Sequence, residues 1–191
     1  MSEAKRPALQ SLDEALQRLL SSVTPLGRLE TLATGEALGR VLAADVVSTL
    51  DVPPADNTAM DGYALCAADV TGPGTLLPVA QRVPAGVVGA VHRPGTAARI
   101  FTGAQIPLGA DAVVMQEHCE AMDGAVRVNA EVRSGQWIRR RGEDVQQGAT
   151  VLRAGHRLDA ASLGLAASVG AAALTVARRP KVALFSTGDE L

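Results

Sequence analysis

Residues 51–65 read DVPPADNTAMDGYAL, and at this polar, turn-prone run the character of the chain changes. It holds Asp51, Asp56 and Asp61 together with Asn57, Thr58 and Met60, so it gains little by burying apolar surface. Val52-Pro53-Pro54 forces an extended path, because each proline fixes its own φ and restricts the residue before it. Asp56-Asn57-Thr58 supplies side chains that bond nearby backbone and shape turns. Asp61-Gly62 reads as a tight turn into a strand that begins at Tyr63-Ala64-Leu65. A stiff loop presenting Asp56 and Asp61 suits a hard cation such as Mg2+, which prefers oxygen ligands. A capped surface turn is the plainer use of the same residues.

On the N-terminal side, Ser11-Leu12-Asp13-Glu14 fits a capping box. Leu12, Ala15, Leu16, Leu19, Leu20 and Val23 follow at helical spacing until Thr24-Pro25. The apolar stripe calls for a partner surface. A short helix is expected over Thr34 to Leu38 and a strand over Val41 to Leu50. On the C-terminal side, short Val- and Ile-rich runs alternate with Gly and Pro as far as Gly148: LLPVAQRV, ARIFTG, AVVMQE, GAVRVNAEV and GQWIRRR. That rhythm predicts a compact β-barrel or sandwich. Asp159 to Val169 then reads as a helix with Asp159 as N-cap and Gly170 in the C′ position. A strand is expected over Ala171 to Val176, a boundary at Arg178-Arg179-Pro180, and a buried-type strand over Lys181 to Ser186. Together these predict a mixed α/β, multidomain chain in which a β-rich, barrel-like domain is inserted in a small α/β domain.

Hydrophobic residues make up 47% of the 191, enough for a substantial core, yet aromatics are only 2%: Tyr63, Phe101, Trp137 and Phe185. The core must therefore be built from Val, Leu, Ile and Ala. The scarcity of aromatic platforms argues against base-stacking nucleic-acid modules, and a net charge of −2 gives no polyanion signature. The N-terminus lacks the apolar stretch of a signal peptide, and no run approaches a membrane span, so a cytoplasmic protein is expected, with neither nucleic acid nor membrane as partner. Cys66 and Cys119 fit no CxxC pattern and read as reduced, mostly buried thiols. His92 and His156 have no evident partners and read as surface residues. Trp137 reads as packing.

Two more stretches carry chemistry. Thr102-Gly103 follows the run Arg99-Ile100-Phe101, and a hydroxyl beside a glycine at a strand's end can hydrogen-bond an oxyanion that approaches the backbone. A β-turn threonine is the alternative. Arg139-Arg140-Arg141-Gly142-Glu143-Asp144 places three cations next to two carboxylates. On a strand Arg139 and Arg141 share a face, and guanidinium forks suit the oxygens of phosphate and similar oxyanions. Asp144 can share Mg2+ with Asp61 or hold an arginine. The plainer alternative is a solvated charged edge with internal salt bridges.

Residues 51–65, RIFTGAQIPLGADAVVMQE at 99–117, RSGQWIRRRGEDVQQGA at 133–149 and VALFSTGDEL at 182–191 are together similar, in the same order, to the signature segments of the molybdopterin molybdenumtransferase family, which includes MoeA proteins and the gephyrin E domain. The resemblance implies an N-terminal helix over 9–28 packing on a third domain, a small split α/β domain over 29–47 and 149–178, and an inserted β domain over 48–148. Residues 179–191 would begin an α/β molybdopterin-binding domain, of which the last stretch is the first strand. It also implies insertion of molybdate into adenylylated molybdopterin with Mg2+ and release of AMP, by a homodimer. On matching positions it implies catalytic roles for Asp61, Thr102, Asp144 and Glu190, substrate binding by Arg139, Thr187 and Gly188, and Mg2+ at Asp61 and Asp144.

Because VALFS followed by Thr187-Gly188-Asp189-Glu190 reads as the start of a βα unit, the sequence is expected to be the N-terminal part of a longer enzyme, inactive alone. Two other readings stand beside this one: a non-catalytic dimerisation or scaffold module, and a different Mg2+-dependent phosphate hydrolase.

Overall fold

A computed structural model describes residues 10–25, 27–186 and 188. Helix α1, Leu12–Ser21, starts as the capping box dictates: the Ser11 N–H donates to Glu14 Oε2 at 2.9 Å and the Glu14 N–H to Ser11 Oγ at 3.2 Å. None of its residues is buried, and Leu12, Leu16, Leu19, Leu20 and Val23 are each at least half exposed. Helix α2, Ala160–Ser168, is capped by Asp159, whose carboxylate accepts from the Ser162 N–H at 2.8 Å. Gly170, at φ +86°, turns the chain away after it in the left-handed conformation that glycine adopts without strain.

The strands follow in chain order as β1 Leu29–Ala33, β2 Val46–Val47, β3 Asn57–Thr58, β4 Gly62–Leu65, β5 Thr75–Val83, β6 Ala97–Ile100, β7 Ala112–Met115, β8 Cys119–Met122, β9 Ala125–Val128, β10 Ile138–Arg139, β11 Thr150–Leu152 and β12 Ala173–Ala177. Six of them form one sheet in the order β7-β4-β6-β5-β9-β8, antiparallel throughout except for the parallel β5–β6 pair. The fold is thus mixed and sheet-rich. One face of the large sheet packs Tyr63, Leu65, Leu77, Val114, Val126 and Val128; the other packs Ala64, Val83, Ile100, Ile106 and Val113. Elsewhere β1 pairs with β12 and β2 with β11, and these segments close with α2 on Leu42, Val46, Leu152, Leu158, Val169 and Val176. Val, Leu, Ile and Ala supply nearly all of this interior, as the scarcity of aromatics requires.

Several expectations are corrected. Val41 to Leu50 is no continuous strand: Val41 and Leu42 make isolated bridges, and only Val46-Val47 pairs regularly with β11. The interruption falls at Asp45, whose carboxylate caps the Ala154 N–H at 2.7 Å instead of pointing into a ladder. The Thr34 helix is a single 3-10 turn over Thr34–Glu36. Lys181 to Ser186 forms no strand, and Val182, Leu184 and Phe185 are 77–94% exposed. An apolar run becomes a buried strand only with a neighbour to complete its ladder, and none of the described residues provides one.

One side chain is also misjudged by local sequence. His92 is buried, not superficial. Its N–H donates to the Leu108 carbonyl at 2.8 Å, while Nε2 has no hydrogen-bond partner among the described residues. Burial holds its imidazole below the usual histidine range, against the opposing pull of Asp69 and Asp111. Trp137, read as packing, is 40% exposed at φ +56°. Cys66 and Cys119 are free and half-buried, and burial pushes the Cys119 thiol up to about 11.

Candidate functional site

The 51–65 run is pinned by backbone bonds. Val52 exchanges hydrogen bonds with Val145, the Val52-Pro53 peptide that follows is cis, and the Gly142 N–H donates to the Pro53 carbonyl at 3.0 Å. Strand β3 then lies between β10, which it meets at Ile138 and Arg139, and Gln105, which bridges Asn57. Thr58 is buried, and its hydroxyl donates to the Met60 carbonyl at 2.6 Å, closing the turn predicted from its side chain. Gly62, however, is not a turn residue. It is the first residue of β4, paired with Ile100 on one side and Met115 on the other. A Cβ there would run into the Val114 carbonyl, so the glycine serves close approach of the β7 backbone.

That placement sets Asp61 at the mouth of β4, opposite the turn that leaves β6. Asp61 Oδ1 accepts from the Thr102 N–H at 2.8 Å and from Thr102 Oγ1 at 2.7 Å. Oδ2 accepts no hydrogen bond from the described residues. The Thr102 N–H, then its hydroxyl, and at longer range the Arg99 guanidinium hold the Asp61 carboxyl below the usual carboxylate range. Asp61 and Thr102, each expected separately from the sequence, are thus in direct contact. Gly103, at φ +81°, follows, and a cleft of about 220 Å³ lined by Pro54, Asn57, Val88, Gly103 and Gln105 opens beside it. A hollow of about 400 Å³ at Arg28, Arg178, Arg179 and Lys181 involves none of the expected site residues.

The arginine run is organised differently. Arg139 Nη2 donates to both Asp144 oxygens at 2.6 Å and its Nε to Glu143 at 3.5 Å. Arg140 Nη1 donates to Asp56 Oδ2 at 2.6 Å, and Arg141 Nε to Asp51 Oδ2 at 2.6 Å. Asp56 also takes the Arg141 N–H, which with Arg140 lowers its carboxyl. Of the two open readings, Asp144 holds an arginine. Asp56, expected to face a cation, spends both oxygens on the arginine strand. The described residues contain no cluster of three or more His, Cys, Asp or Glu placed for a metal ion. Gly188 is exposed, while Thr187 and Glu190 lie outside the described residues.

A third group was not picked out from the sequence. Tyr63, Arg99 and Arg82 stand opposite one another on β4, β6 and β5. Arg99 donates to the Gly62 carbonyl at 2.8 Å, to the Ile100 carbonyl at 3.2 Å and to Gln116 Oε1 at 2.6 Å. The Arg82 and Arg99 guanidinium carbons each lie 4.5 Å from the centroid of Phe101, the residue before Thr102. Only alternation along ARIF, combined with knowledge of the β5 register, could have joined these three.

Residues 10–170 match the model of the MoeA N-terminal region (domain I and II). The chain belongs to this family. It is 42% identical over 180 residues to molybdopterin molybdenumtransferase 2 of Mycobacterium tuberculosis, covering 92% of this chain and 44% of that one. It is equally 42% identical over 183 residues to a molybdopterin molybdenumtransferase of Haemophilus influenzae, covering 95% and 45%. Among solved structures, the molybdopterin biosynthesis MoeA protein of Pyrococcus horikoshii superposes with a TM-score of 0.82 at 37% identity, over 86% of this chain and 45% of that chain. The chain thus spans less than half the length of these relatives. Asp61, Thr102, Arg139 and Asp144 lie inside the family match; Thr187, Gly188 and Glu190 lie beyond it.

Proposed function

We propose that this chain supplies one wall of a site that inserts molybdate into adenylylated molybdopterin, with Mg2+ and release of AMP. The observation that carries the proposal is the Asp61–Thr102 pair: one carboxylate oxygen is fixed by two donors and the other is left open. The transferase names of the relatives supply the reaction class. Asp61 Oδ2, ionised well below neutral pH, fits Mg2+, which is commonly bound through one or two carboxylates plus substrate phosphates. Asp144 would join it only by giving up Arg139. When bound there, the cation would offset the repulsion between a pyrophosphate and a dianionic oxyanion and polarise the scissile phosphate.

The chain's own residues do the rest. Thr102 orients Asp61 and keeps hydroxyl lone pairs for a further donor. Gly103, without a side chain, lets a ligand approach the backbone. Arg139, on release from Asp144, would present its guanidinium to an oxyanion. In this reading the large sheet with its two packed faces and the α2 core are separate domains, Thr187, Gly188 and Glu190 belong to the substrate site, and a cytoplasmic homodimer completes it. The exposed apolar stripe of α1 supports assembly of some kind, and so also favours a scaffold role as the alternative.

Molybdate-dependent AMP release from adenylylated molybdopterin, measured for this chain and for one extended beyond Leu191, tests the proposal. The extended chain should turn over and Asp61→Asn should abolish that turnover with the fold intact. Full activity in Asp61→Asn would refute the site. Dimerisation or partner binding with no turnover in either length, and no effect of the substitution, would favour the scaffold.

A further inference from the structure

We infer that Arg82 is an anion-binding residue of the Asp61–Thr102 site, presented there by Phe101 and Arg99, and that it takes a phosphate-type oxyanion. The inference rests on the proposed substrate class and adds a residue to it. Charge sets Arg82 apart from the arginine run. The three arginines that resemble an anion site in the sequence are each neutralised by a carboxylate: Arg139 by Asp144, Arg140 by Asp56 and Arg141 by Asp51. Arg82 and Arg99 are not. Among the described residues neither has a carboxylate within ion-pair distance, and Arg82 makes no side-chain hydrogen bond.

Geometry puts this uncompensated charge over Phe101, the residue before Thr102. Strand alternation places Asp61 and Tyr63 on one face of β4 and its approach, and Arg99 and Phe101 on the same face of β6 and its exit. Arg82 is the partner of Arg99 on β5. Both guanidiniums therefore meet at one ring, 4.5 Å from its centroid, with Thr102 the next residue along the chain. A ring face attracts a cation, which explains why each sits there. It does not remove the mutual repulsion of two cations at one ring. Arg99 is partly offset by Asp61 and commits its donors to Gly62, Ile100 and Gln116. Arg82 is exposed, with its fork unused. An oxyanion beside Thr102 would relieve the repulsion and satisfy that fork bidentately.

The test is binding of inorganic pyrophosphate to this 191-residue chain, followed by calorimetry at low and high salt. Arg82→Met should weaken binding about tenfold, the loss of one charge-assisted hydrogen-bonding group. Arg82→Lys should restore part of it, and Arg153→Met, which removes the same charge from an exposed loop, should not weaken it. Equal affinity in Arg82→Met and the unsubstituted chain overturns the inference, as does an equal loss in Arg153→Met, which would mean net charge alone. Binding too weak to measure in the unsubstituted chain also overturns it. In the extended chain, molybdate-dependent AMP release that is unchanged by Arg82→Met sinks only this inference; absence of molybdate dependence sinks the reading on which it rests.

Discussion

The Asp61–Thr102 pair and the Arg139–Asp144 edge lie on either side of β3, and they handle charge in opposite ways. In the pair, a carboxylate is held by neutral donors and keeps a free oxygen. Along the edge, every guanidinium meets an acid and each acid is used up. Judged by sequence, the edge is the richer of the two, with three cations and two carboxylates in six residues. In space it is largely self-neutralised, and Asp51 and Asp56 arrive from a distant segment to complete the neutralisation. The lesson is that a cluster of charged residues measures the capacity for ion pairing, whereas a binding site is marked by valence left over. Half-exposed ion pairs of this sort contribute little to stability, so the edge can open at small cost if a ligand competes for it.

The comparison breaks most severely if the backbone that presents Asp61 is disturbed. Gly62→Ala would drive a methyl into the Val114 carbonyl, where β4 and β7 are paired within the large sheet. Neither neighbour is a flexible side-chain end, so the strands must separate. Overpacking of this kind costs about 3 kcal/mol. The urea midpoint should fall sharply, and hydrogen exchange should rise along Gly62–Leu65 and Ala112–Met115. A midpoint within error of the parent would mean that β4 and β7 are not so close, and Asp61 would lose its fixed position.

An intermediate effect is expected at Thr102. Thr102→Ala removes the hydroxyl donor to Asp61 and keeps the stronger backbone one. The Asp61 carboxyl should therefore rise part of the way back toward about 3.8, as read by carbon NMR of the carboxyl during titration. The sign follows from the depressed value. The charged form is favoured in the fold, so this contribution to stability is present above the ordinary aspartate value and is lost as pH falls through the folded one. A titration identical to that of the unsubstituted chain would show that the hydroxyl does not hold Asp61.

Much of this architecture was legible. Both helix starts follow from Ser11 with Glu14 and from Asp159, because a cap is satisfied within three residues of itself. The strands around Tyr63, Ala98, Val113 and Arg127 follow from short β-branched runs cut by glycine and proline. What failed depended on partners far along the chain. His92, in the polar run His92-Arg93-Pro94-Gly95, is buried because Leu108 and Gly109 fold over it. Gly62 passes for half of an Asp-Gly turn until the β7 carbonyl is placed beside it. Arg82 and Arg99, seventeen positions apart, become neighbours only through a parallel pairing that local pattern does not announce.

The smallest expected effect belongs to the charged edge. Arg139→Met deletes the Asp144 pair, yet both side chains are well hydrated, at 39% and 50% exposure. Water can replace the guanidinium, and the urea midpoint should move by a small fraction of the Gly62→Ala shift. Turnover of the extended chain is the more searching measurement. If Arg139 remains bound to Asp144 throughout, its loss should leave AMP release nearly unaltered, and the contrast between a neutralised edge and an open pair holds during catalysis. A fall approaching that of Asp61→Asn would mean that the ion pair opens on substrate. Arg139 would then be a binding residue whose acid partner keeps it folded away until an oxyanion competes for it, and Asp144, once freed, would become available beside Asp61 as a second oxygen ligand.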